Sequence, residues 1–126
     1  MKLGQIHHVA IIGSDYQKSR AFYVDKLGLT VLRENYRPEK KDWKLDLQAG
    51  DSEIELFIVE DPPARVTNPE ARGLRHLAFR VDSAEETAME LRRLGIETEP
   101  IRVDPFTGGK FTFIRDPDDL PIEIHE

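Results

Sequence analysis

Aliphatic and polar residues alternate strictly in four short stretches of the chain. Val9 and Ile11 take one parity and His8 and Ala10 the other; Ile54, Leu56 and Ile58 oppose Glu55. Leu77, Phe79 and Val81 oppose His76, and Ile122 and Ile124 oppose Glu123. A strand sends successive side chains to opposite faces, so each stretch reads as a half-buried strand with an imidazole or carboxylate on its outer face. Between them run two helical patterns. Ser14-Asp15-Tyr16-Gln17 and Ser83-Ala84-Glu85-Glu86 match a capping box with serine at the cap. Leu27-Gly28 and Leu94-Gly95 supply the glycine that closes each helix. Phe22, Tyr23 and Leu27 in one helix, and Ala84, Ala88, Leu91 and Leu94 in the other, are predicted to cover the aliphatic faces.

Beyond each helix three strands are predicted, over 29–36, 43–49 and 53–59, and again over 97–103, 110–115 and 120–125. The chain therefore repeats one order: strand, helix, three strands. Module one covers about 5–60 and module two about 74–126 of a single domain. The segment between them, 61–73, carries Pro62, Pro63 and Pro69 and reads as an irregular linker. Asp104–Gly109 reads as a turn or mobile flap, and Asp116–Asp119 as a tight turn. The predicted class is α+β, with tandem βαβββ modules forming a curled mixed sheet and the helices outside.

The repeat extends to the polar residues. His8 to Glu55 spans 47 positions (55 − 8), and His76 to Glu123 the same 47 (123 − 76). Taken singly, each is what any solvated sheet face carries. Equal spacing, repeated context and shared parity make the four one candidate set, which a curling sheet would gather around a metal ion. His7 has the opposite parity and is expected at the aliphatic layer or its edge, while His125 shares the face of Glu123.

Composition narrows the chemistry. The absence of cysteine removes disulfides, thiolate metal sites and thiol nucleophiles. A net charge of −6 makes a poor nonspecific binder of nucleic acid or anionic membrane. The longest apolar run, Val9-Ala10-Ile11-Ile12, is far too short to span a bilayer, and no apolar signal core follows Met1. A cytoplasmic location is expected.

At these residues the sequence resembles the vicinal-oxygen-chelate superfamily of glyoxalase I, bleomycin-resistance proteins, extradiol dioxygenases and fosfomycin-resistance transferases. His8-Val9-Ala10-Ile11, Ala21-Phe22-Tyr23 before Leu27-Gly28, Ile54-Glu55-Leu56, Arg75-His76-Leu77-Ala78-Phe79, and Asp116-Pro117-Asp118 leading to Ile122-Glu123-Ile124 carry the resemblance. It is nearest to the small bacterial glyoxalase-I-like proteins. Asp119 stands where the family turn usually has glycine, and aspartate tolerates left-handed backbone better than most residues.

The resemblance implies half-barrels around a metal held by His8, Glu55, His76 and Glu123. Two neutral imidazoles and two carboxylates balance a divalent cation, and such donors suit nickel, cobalt or zinc, with iron(II) or manganese possible. It further implies a metal-dependent lyase or isomerase acting on an α-oxoaldehyde thiol adduct or a related α-hydroxycarbonyl compound through an enediolate. Glu123 is then the base and Glu55 the alternative. The other expectations are an iron(II) dioxygenase and a non-catalytic drug- or metabolite-binding protein. Arg37, Trp43, Lys44, Arg102, Phe106 and Lys110 are the candidate substrate contacts. A homodimer is expected, with the metal site built within one chain or across two, and with no nucleic-acid or membrane partner.

Overall fold

A computed structural model describes residues 1–126. Two compact units divide the chain, Met1–Pro63 and Ala64–Glu126. The first holds β1 (His8–Gly13), α1 (Tyr16–Arg20, running on as a π-turn over Ala21–Lys26), β2 (Thr30–Arg37), β3 (Asp42–Ala49) and β4 (Ser52–Ile58). The second holds β5 (Leu77–Arg80), α2 (Ala84–Arg93), β6 (Arg102–Val103), β7 (Lys110–Arg115) and β8 (Pro121–His125). Each unit is a four-stranded mixed sheet, ordered β1-β4-β3-β2 in one and β5-β8-β7-β6 in the other. First and last strands pair in parallel, and the other pairs are antiparallel. The α+β class and the tandem βαβββ order stand as expected, and neither sheet is closed. No helix is long and apolar enough to cross a membrane.

The aliphatic faces form the cores. Ile11, Leu45, Leu47, Ile54 and Leu56 are buried with Phe22 and Tyr23 in the first unit; Ile114, Ile122 and Ile124 are buried with Ala84, Ala88 and Leu91 in the second. Leu94 departs from expectation. It follows the last turn of α2 and is 39% exposed, because the chain turns away at Gly95, whose φ is +79°.

One of the two helix starts differs by one residue from the reading. Ser83 caps α2 as expected, its hydroxyl accepting from the Glu86 N–H at 3.2 Å. In α1 the cap is Asp15, not Ser14: the Asp15 carboxylate accepts from the Lys18 N–H at 2.9 Å. The helix begins at Tyr16, so Asp15 is the residue placed to accept from its first free N–H groups. The strand expected over 97–103 shrinks to Arg102–Val103. Pro100 has no N–H for a ladder, and the segment is held instead by the Glu99 N–H to Phe113 O at 3.0 Å and the Thr112 hydroxyl to Glu99 O at 2.7 Å.

Two irregularities shape the outer faces. The β2–β3 register slips between Val31 and Arg33, which brings Arg33 opposite Asp46. In the second unit the buried Asp116 carboxylate accepts from the N–H groups of Asp118 (2.9 Å) and Leu120 (2.8 Å), and Asp119 takes φ 70°, the left-handed turn expected of it.

Candidate functional site

Parallel pairing of first and last strands explains the recurring spacing. Ala10 faces Glu55 across β1–β4, so His8, two residues earlier, lies on the same face beside it. Ala78 faces Glu123 across β5–β8, and His76 again lies two residues earlier. The structure brings each pair together. His8 Nε2 is 3.5 Å from Glu55 Oε1, and His76 Nε2 is 2.8 Å from Glu123 Oε2. The second pair is the more enclosed, its side chains 24% and 13% exposed against 42% and 18% for the first.

Their neighbours differ. In the first unit Lys44 Nζ reaches Glu55 Oε2 at 3.2 Å and Asp46 Oδ1 at 2.6 Å. Arg33 joins Asp46 at 2.7 Å and Glu53 at 2.9 Å, closing a charged network over the sheet face. Burial alone would push the Asp46 carboxyl up, but Lys44 and Arg33 together hold it below its ordinary value. The hydrogen bond to Asp46 chiefly raises Lys44 above the usual lysine range. His7 is exposed rather than set in the aliphatic layer, and its Nδ1 lies 2.9 Å from His8 Nδ1. That contact orients the His8 ring from its far side, and its only sequence signal was adjacency.

In the second unit the residue opposite Glu123 is Phe113. The His76 ring stands edge-on to Phe113 at 5.0 Å. Phe111 stacks on His125 at 5.8 Å, and the Arg102 guanidinium lies over Phe111 and Phe113 at 5.0 and 5.5 Å. His125 Nε2 lies 3.8 Å from Glu123 Oε1 and 3.9 Å from Asp104 Oδ2. No lysine or arginine forms a direct ion pair with Glu123 within this unit, although the Arg75 guanidinium is near enough to interact with it electrostatically. A cleft of about 510 Å³ opens here, with His76, Glu123, Phe113 and Arg102 in its lining.

The remaining substrate candidates are dispersed. Phe106, 95% exposed, lines the rim of that cleft. Arg37 is held bidentately by Asp42 at 2.7 and 2.6 Å and covers Phe57. Trp43 packs between Tyr16 and Tyr36 in the first unit, and Lys110 pairs with Glu85 of α2 at 3.0 Å. Sequence reasoning missed Arg65, Arg75 and Arg115, which also line the cleft. Arg65 comes from the proline-rich segment read only as a connector.

The donor chemistry fits a divalent cation. Each pair sets an imidazole nitrogen against a carboxylate with no thiolate nearby, the set suited to borderline divalent metals. Within neither unit do three or more such side chains gather to hold an ion, so each pair supplies two donors.

The sequence profile described as Glyoxalase/Bleomycin resistance protein/Dioxygenase superfamily matches residues 5–124. The chain belongs to that superfamily. YwkD of Bacillus subtilis is 59% identical over 127 residues, covering 100% of this chain and 99% of that protein. A solved glyoxalase family protein from Enterococcus faecalis superposes with a TM-score of 0.91 at 61% identity, over 97% of each chain. Lactoylglutathione lyase of Salmonella typhimurium is 30% identical over 94% of this chain and 90% of its own. The mitochondrial methylmalonyl-CoA epimerase of Mus musculus is 29% identical over 77% of this chain, which spans 57% of that protein.

Proposed function

We propose that the chain is a metal-dependent lyase or isomerase that moves a proton at a carbon next to a carbonyl. Its substrate is an α-oxoaldehyde thiol adduct or a related α-hydroxycarbonyl compound. The observation that carries this is the state of Glu123: oriented by His76 at 2.8 Å, set against Phe113 in a cleft, and paired with no lysine or arginine in its unit. The names of two relatives support the reaction class. Lactoylglutathione and methylmalonyl-CoA are both thioesters, and a lyase of one and an epimerase of the other both work at a carbon beside the carbonyl.

His8, Glu55, His76 and Glu123 are the residues that would hold nickel, cobalt or zinc, with iron(II) or manganese as substitutes. Such an ion, when bound, supplies Lewis-acid stabilisation of the charge that builds on two adjacent oxygens. The chain's own residues do the rest. His76 Nε2 engages Glu123 Oε2, which leaves Oε1, with its looser 3.8 Å contact to His125, as the atom that takes the proton. Returning it to the neighbouring carbon isomerises the substrate; returning it to the same carbon from the other side epimerises it. Glu55, the alternative base, must first release the Lys44 ammonium at 3.2 Å. Phe113, opposite Glu123 on the neighbouring strand, gives the carboxylate an apolar neighbour. The working form is a homodimer in the cytoplasm acting on a small molecule, with the open edges at β2 and β6 as candidate contacts.

The test is turnover of methylglyoxal mixed with a panel of small thiols, with proton exchange followed in deuterated buffer. Glu123→Gln should lower kcat by about 10²–10⁴ with folding intact, the usual share of a general base. Glu55→Gln should cost less at saturating metal. Full activity of Glu123→Gln would overturn the base assignment. Oxygen consumption would favour the dioxygenase reading, and tight ligand binding without exchange the binding-protein reading.

A further inference from the structure

Four arginines line the cleft of the second unit, and three of them already face a carboxylate. Arg75 pairs with Glu70 at 2.9 Å, Arg102 with Glu99 at 2.9 Å, and Arg115 with Asp119 at 3.2 Å. Arg65 pairs with none. Its Nη2 donates to the carbonyls of Leu74 (2.6 Å) and Arg75 (3.1 Å), which fixes the plane of the guanidinium and leaves Nε and Nη1 without a protein acceptor. A guanidinium keeps its charge at any working pH, and a fixed one presents a ready fork to a planar or tetrahedral oxyanion. The two carbonyls lie directly before His76, so Arg65 is tied to the segment that carries that imidazole.

We infer that Arg65 is the anchor for an anionic group, carboxylate or phosphate, of the molecule that occupies this cleft. The ligand it fits is small, anionic at one end, and apolar where it meets Phe111 and Phe113. Resting on the proposed reaction, this narrows the substrate to an α-oxoaldehyde thiol adduct or related α-hydroxycarbonyl compound that carries an anionic group away from the reacting carbon. Arg65 touches the ligand's distal anion rather than the reacting carbon, so it governs affinity and specificity.

The experiment is calorimetric titration of the full chain, dialysed free of metal, with malonate, inorganic phosphate and uncharged malonamide. No turnover is read, so failure of the Glu123 assignment leaves the result standing, and failure here leaves that assignment standing. Malonate or phosphate should bind and malonamide should not; whichever anion binds more tightly identifies the source. Arg65→Met should weaken that anion about tenfold or more, the worth of a charged hydrogen-bonded contact. Arg65→Lys should fall between, keeping the charge without the fork. Arg92→Met on α2, whose partner is Thr98, should bind as the native chain does. Should Arg65→Met unfold, the shift of the Arg65 Nε–H resonance on adding anion to the native chain gives the same answer. Equal binding by malonamide, no binding of either anion, or an Arg65→Met chain with lowered Tm and unchanged affinity would each overturn the inference; the last would make Arg65 a strap for the backbone alone.

Discussion

The His8–Glu55 and His76–Glu123 pairs stand on the same backbone frame with opposite surroundings. Both arise because a parallel pairing of first and last strands sets the histidine two residues before the glutamate's partner. On the adjoining strand, Asp46 and Lys44 sit opposite Glu55 and Phe57, whereas Phe113 and Phe111 sit opposite Glu123 and His125. One pair is embedded in a network of charges and the other is walled by aromatic rings. A repeated fold thus keeps the position of its donors while neighbours one strand away decide what each donor can do. On the proposed reading, Glu55 is held by its ion pair with Lys44, and Glu123, opposite Phe113, is the carboxylate that takes the proton.

The largest way to test the comparison is in the part that should not differ. Leu56 and Ile122 are fully buried, one on each of the two aliphatic faces. Leu56→Ala and Ile122→Ala should each cost about 2–5 kcal/mol by urea unfolding, since both leave a cavity in a packed core. A cost confined to one of them would show that only one unit depends on this packing.

The next test transplants one neighbourhood into the other. Phe111 holds the register place of Lys44. Phe111→Lys should offer Glu123 an ion pair of its own and slow turnover by roughly tenfold to a hundredfold, the equivalent of about 1.5–3 kcal/mol. Unchanged turnover would mean that the aromatic wall does not set the availability of Glu123.

Acid should strain the first unit more. A hydrogen bond from Tyr16 lowers Glu34, one from Arg37 lowers Asp42, and Lys44 with Arg33 outweigh burial at Asp46. In the second unit the Phe106 N–H lowers Asp104, and Arg75 lowers Glu70. Carboxyls with folded values below their unfolded ones bind fewer protons when folded. Their contribution is full above the unfolded values near 4 and is lost as pH falls through the folded ones. Amide exchange measured from about pH 5 to pH 3 should show protection falling first in β2 and β3. Earlier loss in β7 and β8 would reverse the comparison.

The smallest expected effects are at the helix caps. Asp15→Ala and Ser83→Ala should each cost about 1 kcal/mol of unfolding free energy.

Those caps mark the boundary of what was legible. Strand faces, both helices and the two His–Glu pairs follow from alternation and from one repeated spacing, because parity and pairing are local consequences of the extended backbone. The slip beside Leu32, which turns Arg33 toward Asp46, leaves no mark on the alternation pattern. Pro100 is visible in the sequence, but the shortening of its strand depends on how β7 runs beside it. Lys44, a candidate substrate contact, meets Asp46 and Glu55, a consequence of β3–β4 register that alternation alone does not reveal. Arg65 lay in a segment with no periodicity, and only the folding of that segment against the second sheet makes it part of a cleft.

The proposed function requires His8, Glu55, His76 and Glu123 to act as metal donors. Metal content per chain, measured after loading with nickel, cobalt or zinc and desalting, addresses it directly. The native protein should retain one equivalent, and His8→Ala, Glu55→Ala, His76→Ala and Glu123→Ala should each lose most of it. Failure of the native chain to retain metal, or full retention by both variants of either pair, would contradict the account.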